Sequence, residues 1–361
     1  MTVGAAKQEI ETPALLIDLE TMEKNIEKMA RYFGAVRSSL RAHAKTHKSP
    51  IIAKKQISAG ARGICCQKLG EAEVMVNHGV DDILITSEVV DPEKIQRLVR
   101  LARSHKVTVV VDNLQVARAT SEAARREGVR QRVIVEIDVR KMRCGVMPGR
   151  PTLEFVRKVI GLEGLDFRGL MGYEGPFFDI PDFEQRKAAA RELLRSLRET
   201  VDMIESEGIV VCDVTAGSTS TYRIAGEYPK MTEIQAGSYV FMDSTYSKLG
   251  GLDFGCALTV LATVISRPVP ERVVVNTGSK AITQEFGMPL VKDYEDAKTY
   301  KFSEEHGMIK VDPASKIDVG DKLELIPSHC CTTVNLHDQY YGIRNGKVEV
   351  VWPVLARGKF Q

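Results

Sequence analysis

Strand-like and helix-like segments alternate along this chain from about residue 14 to residue 240, and no other feature restricts its fold so strongly. Met22, Ile26, Met29 and Phe33 in "TMEKNIEKMARYFG" recur at helical spacing. The short strand "LRAHAK" follows. Then come "GICCQK", "DILITSE", "VTVVVDN", "RVIVEIDV", "FRGLMGYE", "VCDVTAG" and "EIQAGSYVF", with helical stretches at 92–104, 114–127, 152–161 and 184–207 among the connections. Such alternation predicts parallel strands joined by helices, because parallel neighbours need a crossover. With "PALLIDLE" there are nine strand candidates, whereas eight close a barrel. Periodicity does not say which strand is surplus. The rival is an open doubly wound sheet, but no GxGxxG follows an early strand.

After about residue 247 the texture becomes β-rich, in "CALTVLATVISRPV", "RVVVNTG", "KLELIPSH" and "QYYGIRNGKVEVVW". Asn345-Gly346 there is a strong hairpin signal. The expected architecture is α/β, a (β/α)8 TIM-type barrel over residues 14–246 followed by a smaller all-β domain. That domain takes in residues 247–361 together with 1–13. A chain of 361 residues is long enough for one large core and a second, smaller one.

A formal net charge of +2, with acids and bases mixed throughout, gives no electrostatic case for nucleic acid or membrane partners. No apolar run reaches the length of a membrane span, and "MTVGAAKQEIETP" lacks the apolar core of a signal peptide. The expected location is therefore cytoplasmic. The seven cysteines agree, being odd in number and including two adjacent pairs, which speaks against a disulfide framework.

Chemistry-bearing residues gather at the ends of the expected strands. Lys45 in "RAHAKTHKSP" closes the first of them, on the face where parallel barrels build their sites. A lysine there can form a Schiff base if burial or nearby cations lower its pKa, with His43, His47 and Lys48 as candidate neighbours. The plain alternative is a set of solvated loop charges. "DVTAGSTSTY" and "QAGSYVFMD" put Gly217, Ser218, Thr219, Gly237 and Ser238 after late strands. Backbone N–H groups and hydroxyls in such loops cradle phosphate, although the same residues also make ordinary turns. Arg143 in "EIDVRKMRCGV" has a planar fork suited to a cofactor oxygen or a carboxylate; a surface arginine is the alternative.

"PSHCCTTVNLHD" carries the sharpest signal. If 328–333 is extended, His329 and Cys331 point to one side and Cys330 to the other. An imidazole and a thiolate so placed are half of a zinc-type site, suited to a metal with open positions. His337 and Asp338 are candidates to support those ligands. A core histidine beside buried cysteines is the alternative.

Together, "TPALLIDL", "HAKTHKSP", "GARGICCQKLGEAE", "EIDVRKMRCGV", "QAGSYVFMD" and "PSHCCTTVNLHD" resemble one family along nearly the whole chain. It is the D-threonine aldolase and D-serine dehydratase group of pyridoxal-phosphate enzymes, which share an alanine-racemase-like barrel. The resemblance implies that "PALLIDLE" joins the β domain and that the other eight strands close the barrel. It implies that Lys45 is the Schiff-base lysine and that Arg143 lies near the cofactor's ring oxygen. Gln67 and Tyr173 would lie close to the cofactor, with the loops at 217–219 and 237–238 around its phosphate. His329 and Cys331 fall on the family's metal-ligand positions, the second of which is usually aspartate in the aldolases and cysteine in the dehydratases. Cysteine also favours zinc or a similarly thiophilic ion over magnesium; manganese is the second candidate metal. Where bacterial aldolases show Tyr-His-Gly, this chain has Tyr173-Glu174-Gly175, so Lys45 and Glu174 are both candidate bases.

The resemblance thus implies a pyridoxal-phosphate- and metal-dependent lyase acting on D-3-hydroxy amino acids. The D-serine dehydratase type of elimination is favoured, with D-threonine aldolase-type cleavage as the alternative. The family assembles its site between two subunits, which implies a homodimer. Rival readings are an amino-acid racemase, which needs no metal, a non-catalytic pyridoxal-phosphate-binding protein, and a zinc-stabilised scaffold.

Overall fold

In the computed structural model, which describes residues 3–139 and 142–361, the alternating segments take their expected form. Positions 1 and 2 of the expected β domain, and Arg140 and Lys141 within the 136–146 stretch, lie outside the described residues. Strand β1 (Ala14–Asp18) leads into helix α1 (Leu19–Ala35), which buries Met22, Ile26, Met29 and Phe33 along one face. Then follow β2 (Ser39–His43), α2 (Pro50–Ser58), β3 (Gly63–Cys66), α3 (Leu69–Asn77), β4 (Asp82–Ile85) and α4 (Pro92–Leu101). After them come β5 (Lys106–Val111), α5 (Leu114–Arg126), β6 (Gln131–Glu136), α6 (Arg150–Ile160), β7 (Leu165–Met171), α7 (Phe183–Ser206), β8 (Asp213–Ala216), α8 (Tyr222–Gly226) and β9 (Glu233–Ile234). Asp91 and Asn113 start α4 and α5 by accepting two backbone N–H groups each, as N-cap side chains do.

Strands β2 to β9 pair in parallel in chain order, and β9 returns to β2, closing an eight-stranded barrel. Cys65, Leu84, Val110, Ile134 and Met171, one from each of five successive strands, pack together as a buried cluster. The strands begin in a network of ion pairs. Arg41 meets Asp82 at 2.8 Å and Glu233 at 2.6 Å, and Arg62 meets Asp213 at 2.9 Å. Lys106 also bonds Asp82. Burial disfavours the Asp82 carboxylate, but Arg41 and Lys106 outweigh it and hold its pKa below the usual value. Asp82, Lys106, Asp213 and Glu233 each open their strand, so this network lies at the N-terminal end, which leaves the C-terminal end for chemistry.

The second sheet has nine strands. Strand β1 lies within it, antiparallel to β10 (Leu258–Val269) and parallel to β16 (Gln339–Arg344). The others are β11 (Arg272–Val275), β12 (Leu290–Val291), β13 (Lys298–Phe302), β14 (Gly307–Lys310), β15 (Lys322–Ile326) and β17 (Lys347–Pro353). Asn345 and Gly346, at φ 51° and 73°, make the expected turn between β16 and β17, since a two-residue turn of this hand needs positive φ at both positions. A five-residue helix, α9 (Cys330–Val334), interrupts the β-rich region.

Two compact units result. One comprises Met29–Lys45, Pro50–Gly237 and Lys359–Gln361. The other comprises the chain up to Lys28, Thr46–Ser49 and Ser238–Gly358. The boundary expected at residue 14 therefore moves to Lys28, because a strand followed by a helix reads the same whichever sheet it joins. The boundary expected at 246 moves to Gly237. Among the described residues, no helix is long and apolar enough to cross a membrane.

Candidate active site and metal centre

Lys45 lies two residues beyond β2, at the C-terminal end of the barrel strands. Its Nζ is 5.9 Å from the centre of the Tyr173 ring, and the Arg143 guanidinium carbon is 5.3 Å from the same centre. Both cations are within reach of the ring's negative π face. Arg143 Nη2 also bonds Glu136 Oε1 at 3.2 Å. Burial, with the nearby Glu88 adding to it, pushes Glu136 up to about 8. Burial thus weakens the negative charge that Glu136 sets against Arg143.

The other residues of "HAKTHKSP" are not solvated loop charges. His43, Thr46, His47 and Lys48 are buried. His43 Nε2 is 3.2 Å from Thr86 Oγ1, and His43 Nδ1 is 3.4 Å from the backbone N–H of Lys45. Thr86 also bonds the Gln67 side chain, which places Gln67 just beyond β3 in the same chain of hydrogen bonds. His47 and Lys48 belong to the other unit. There His47 Nδ1 accepts the Ser49 N–H, and the Lys48 carbonyl accepts the Ala356 N–H.

After β8 the chain turns at Gly217, where φ is +86° and a Cβ would lie 2.6 Å from Ile234. The Gly217 N–H donates to Glu174 Oε2 at 2.9 Å, and the Ser218 N–H donates to the Thr221 hydroxyl at 2.9 Å. Those two amides, expected to face a phosphate, are thus already engaged. Gly237 ends the barrel unit. Ser238 opens the second unit, where its Oγ is 4.0 Å from Cys331 Sγ.

In that second unit the 328–333 segment is not extended. His329, in β conformation, precedes the first turn of α9. The turn brings Cys330 in with the other two, and the ligand atoms of His329, Cys330 and Cys331 lie within 4.8 Å of one another. Cys330 is fully buried, and burial, followed by its neighbours Cys331 and Asp243, holds its thiol well above the usual pKa. Thr46 Oγ1 is 3.3 Å from Cys331 Sγ. His329 Nδ1 is 2.8 Å from Asp243 Oδ2. A carboxylate only accepts, so His329 donates from Nδ1, and Nε2 is the nitrogen left for a metal ion. Burial disfavours a charged imidazole here, but Cys331 and Asp243 push the His329 pKa up to about 11. The cluster therefore stabilises positive charge, and a divalent ion, which needs deprotonated ligands, can replace the proton. The donor set fits a thiophilic metal. An amine, a guanidinium and a hydroxyl-rich loop likewise fit an aldehyde cofactor carrying a phosphate ester.

Asp243 is the residue that pattern-reading missed, although it ends "QAGSYVFMD". Its Oδ1 accepts the N–H groups of Thr245 at 3.1 Å and Tyr246 at 2.9 Å, and its Oδ2 accepts that of Cys330 at 3.2 Å. His337 and Asp338 lie elsewhere: His337 Nε2 is 2.7 Å from the Ala281 carbonyl, and Asp338 pairs with Arg357 at 2.6 Å.

Residues 17–245 match the family model "Alanine racemase, N-terminal domain", and residues 257–343 match "Putative serine dehydratase domain". The chain is 40% identical to a 3-hydroxy-D-aspartate aldolase of Paracoccus denitrificans, over 99% of this chain and 94% of that one. It is 29% identical to a D-threo-3-hydroxyaspartate dehydratase of Delftia, over 90% and 92% of the two chains. The crystal structure of a D-threonine aldolase from Filomicrobium marinum superposes with a TM-score of 0.97, at 36% identity and full coverage of both chains. This chain belongs to the D-threonine aldolase and D-serine dehydratase family, pyridoxal-phosphate-dependent lyases with the alanine-racemase-like fold.

Proposed function

We propose that this enzyme removes water from a D-3-hydroxy amino acid, giving a keto acid and ammonia. It would use pyridoxal phosphate held by Lys45 and a divalent metal held by His329 and Cys331. The observation that carries this reading is the thiolate–imidazole pair, with Cys331 two residues after His329 and Asp243 behind the imidazole. Among solved relatives are D-threo-3-hydroxyaspartate dehydratase variants in which a histidine and a cysteine, also two positions apart, are replaced, the cysteine variant in a metal-free form.

Bound pyridoxal phosphate supplies an electron sink for negative charge at the amino acid's Cα. A divalent ion would supply a Lewis acid for the β-hydroxyl, and a soft thiolate ligand favours zinc. The Lys45 amine would hold the cofactor and, as a free base, would take the Cα proton. Arg143 would orient an anionic oxygen with its fork, with the Tyr173 ring close to both Arg143 and Lys45. Gln67, fixed through Thr86, lines the same strand ends. Departure of the Cα proton and the Cβ hydroxide leaves an enamine, which takes up water to yield keto acid and ammonia. A homodimer is consistent with the exposed Phe286, Met288, Leu290, Tyr294 and Tyr300 of the second unit.

The second reading is retro-aldol cleavage to glycine and an aldehyde, favoured by the higher identity to the aldolases, 40% against 29% for the hydroxyaspartate dehydratase. A product assay with D-serine, D-threonine and D-3-hydroxyaspartate separates the two. Keto acid with ammonia supports elimination, whereas glycine with aldehyde overturns it.

A further inference from the structure

Glu174 follows β7 and is completely buried, at 0% exposure. Both of its carboxylate oxygens are engaged by the loop that follows β8. Oε2 accepts the Gly217 N–H at 2.9 Å, and Oε1 accepts the Thr221 hydroxyl at 2.6 Å. That hydroxyl in turn accepts the Ser218 N–H at 2.9 Å and lies 3.1 Å from Ser218 Oγ. A second buried charge grips the same loop. Arg186 on α7, also at 0% exposure, donates from Nε to the Ser220 carbonyl at 3.1 Å. Its Nη1 donates to the Ile180 and Pro181 carbonyls at 2.9 Å each.

We propose that Glu174 is a positioning residue: with Arg186 it fixes the Gly217–Thr221 loop, and it takes no proton from the substrate. A general base needs an oxygen within reach of the proton it abstracts. Here one oxygen faces an amide and the other a hydroxyl, both of the protein. Gly217 sits at a φ that favours glycine, and a carboxylate on its N–H holds the turn at that conformation. The clamp also decides which donors meet an anion. The Gly217 and Ser218 amides serve the protein, so backbone donation to a phosphoryl group comes from positions after Ser218.

This inference rests on the pyridoxal-phosphate reading of the site, and its test separates the two. Cofactor affinity is measured by titrating cofactor-stripped enzyme, turnover is measured across pH at saturating cofactor, and amide exchange is followed at 217–221. Glu174→Gln keeps an acceptor for Gly217 but cannot serve as a base. Its kcat at saturating cofactor is expected to fall by less than about tenfold, with the same pH limbs. Glu174→Ala is expected to weaken cofactor binding by about tenfold or more and to speed exchange at Gly217 and Ser218. Thr221→Val, which leaves the carboxyl in place, is expected to show the same cofactor defect in a milder form and stands in if the alanine variant does not fold. A kcat loss of about a hundredfold or more in Glu174→Gln, with unchanged cofactor affinity and a lost pH limb, overturns the proposal in favour of a catalytic base. Failure of the wild type to bind pyridoxal phosphate defeats the site reading, while the exchange data still decide whether the clamp exists.

Discussion

Replacing Asp243 by asparagine tests how the proposed metal ligands are held. The carboxylate serves four donors: His329 Nδ1 and the Cys330 amide on one oxygen, and the amides of Thr245 and Tyr246 on the other. An asparagine offers one acceptor and one donor, so one side of the carboxylate must lose its bonds. If the amide nitrogen faces His329, the imidazole proton moves to Nε2 and blocks the nitrogen that binds the ion. If it faces Thr245 and Tyr246, two backbone donors lose their acceptor, at a cost of about 1–3 kcal/mol each. Loss of a carboxylate behind a metal-bound histidine typically weakens binding 10- to 100-fold, or about 1.4–2.7 kcal/mol. Asp243→Asn is therefore expected to need about 10- to 100-fold more free zinc for half-occupancy, read by competition with a chromophoric chelator. Alternatively it binds zinc normally but melts several degrees lower in the presence of a chelator. A variant within twofold of wild-type affinity and with an unchanged melting temperature would refute the assignment of Asp243.

The remaining expectations are more direct. Exhaustive chelation should abolish turnover and added zinc or manganese should restore it, while the visible absorbance of bound cofactor persists; full activity without metal contradicts the His329–Cys331 site. Arg41→Ala removes the buried cation shared by Glu233 and Asp82, which keep the more exposed Arg62 and Lys106 as partners. It should cost about 3–5 kcal/mol in denaturant unfolding, and an effect below about 1 kcal/mol would mean that the network is not structural. The Asp82 pKa is lowered by folding, so its contribution is present above the unfolded carboxylate pKa and is lost as pH falls through the folded value. Acid titration of stability should accordingly show a smaller low-pH loss in Asp82→Asn than in the wild type. Arg143→Lys loses the planar fork and should weaken cofactor or substrate binding by about tenfold or more in a direct titration, whereas unchanged binding would remove Arg143 from the site.

The barrel was legible because its signal is local. Each strand is a short apolar run and each connection an amphipathic helix, so chain order predicts pairing order. The role of β1 was not legible from periodicity, since a buried strand before a helix looks alike in either sheet, and the resemblance supplied it. The hairpin at Asn345-Gly346 was legible because positive φ at two adjacent residues restricts the residue types. The closeness of His329 and Cys331 was expected on a wrong premise. A strand sets His329 and Cys331 on one face, but a turn of helix gathers them as well, and it also brings in Cys330. Asp243 lay 86 residues from His329 in sequence, and no spacing rule reaches that far. The role of Glu174 was hidden for a related reason. A glutamate in a strand-end motif suggests chemistry, and only the loop from the next strand shows what its oxygens hold.

The central claim, that Lys45 carries the cofactor, is tested most directly by reducing the loaded enzyme with borohydride and mapping the peptides by mass spectrometry. A single pyridoxyl phosphate adduct on the lysine at position 45 is the expected result. An adduct on Lys48 or any other lysine, with position 45 unmodified, would contradict it.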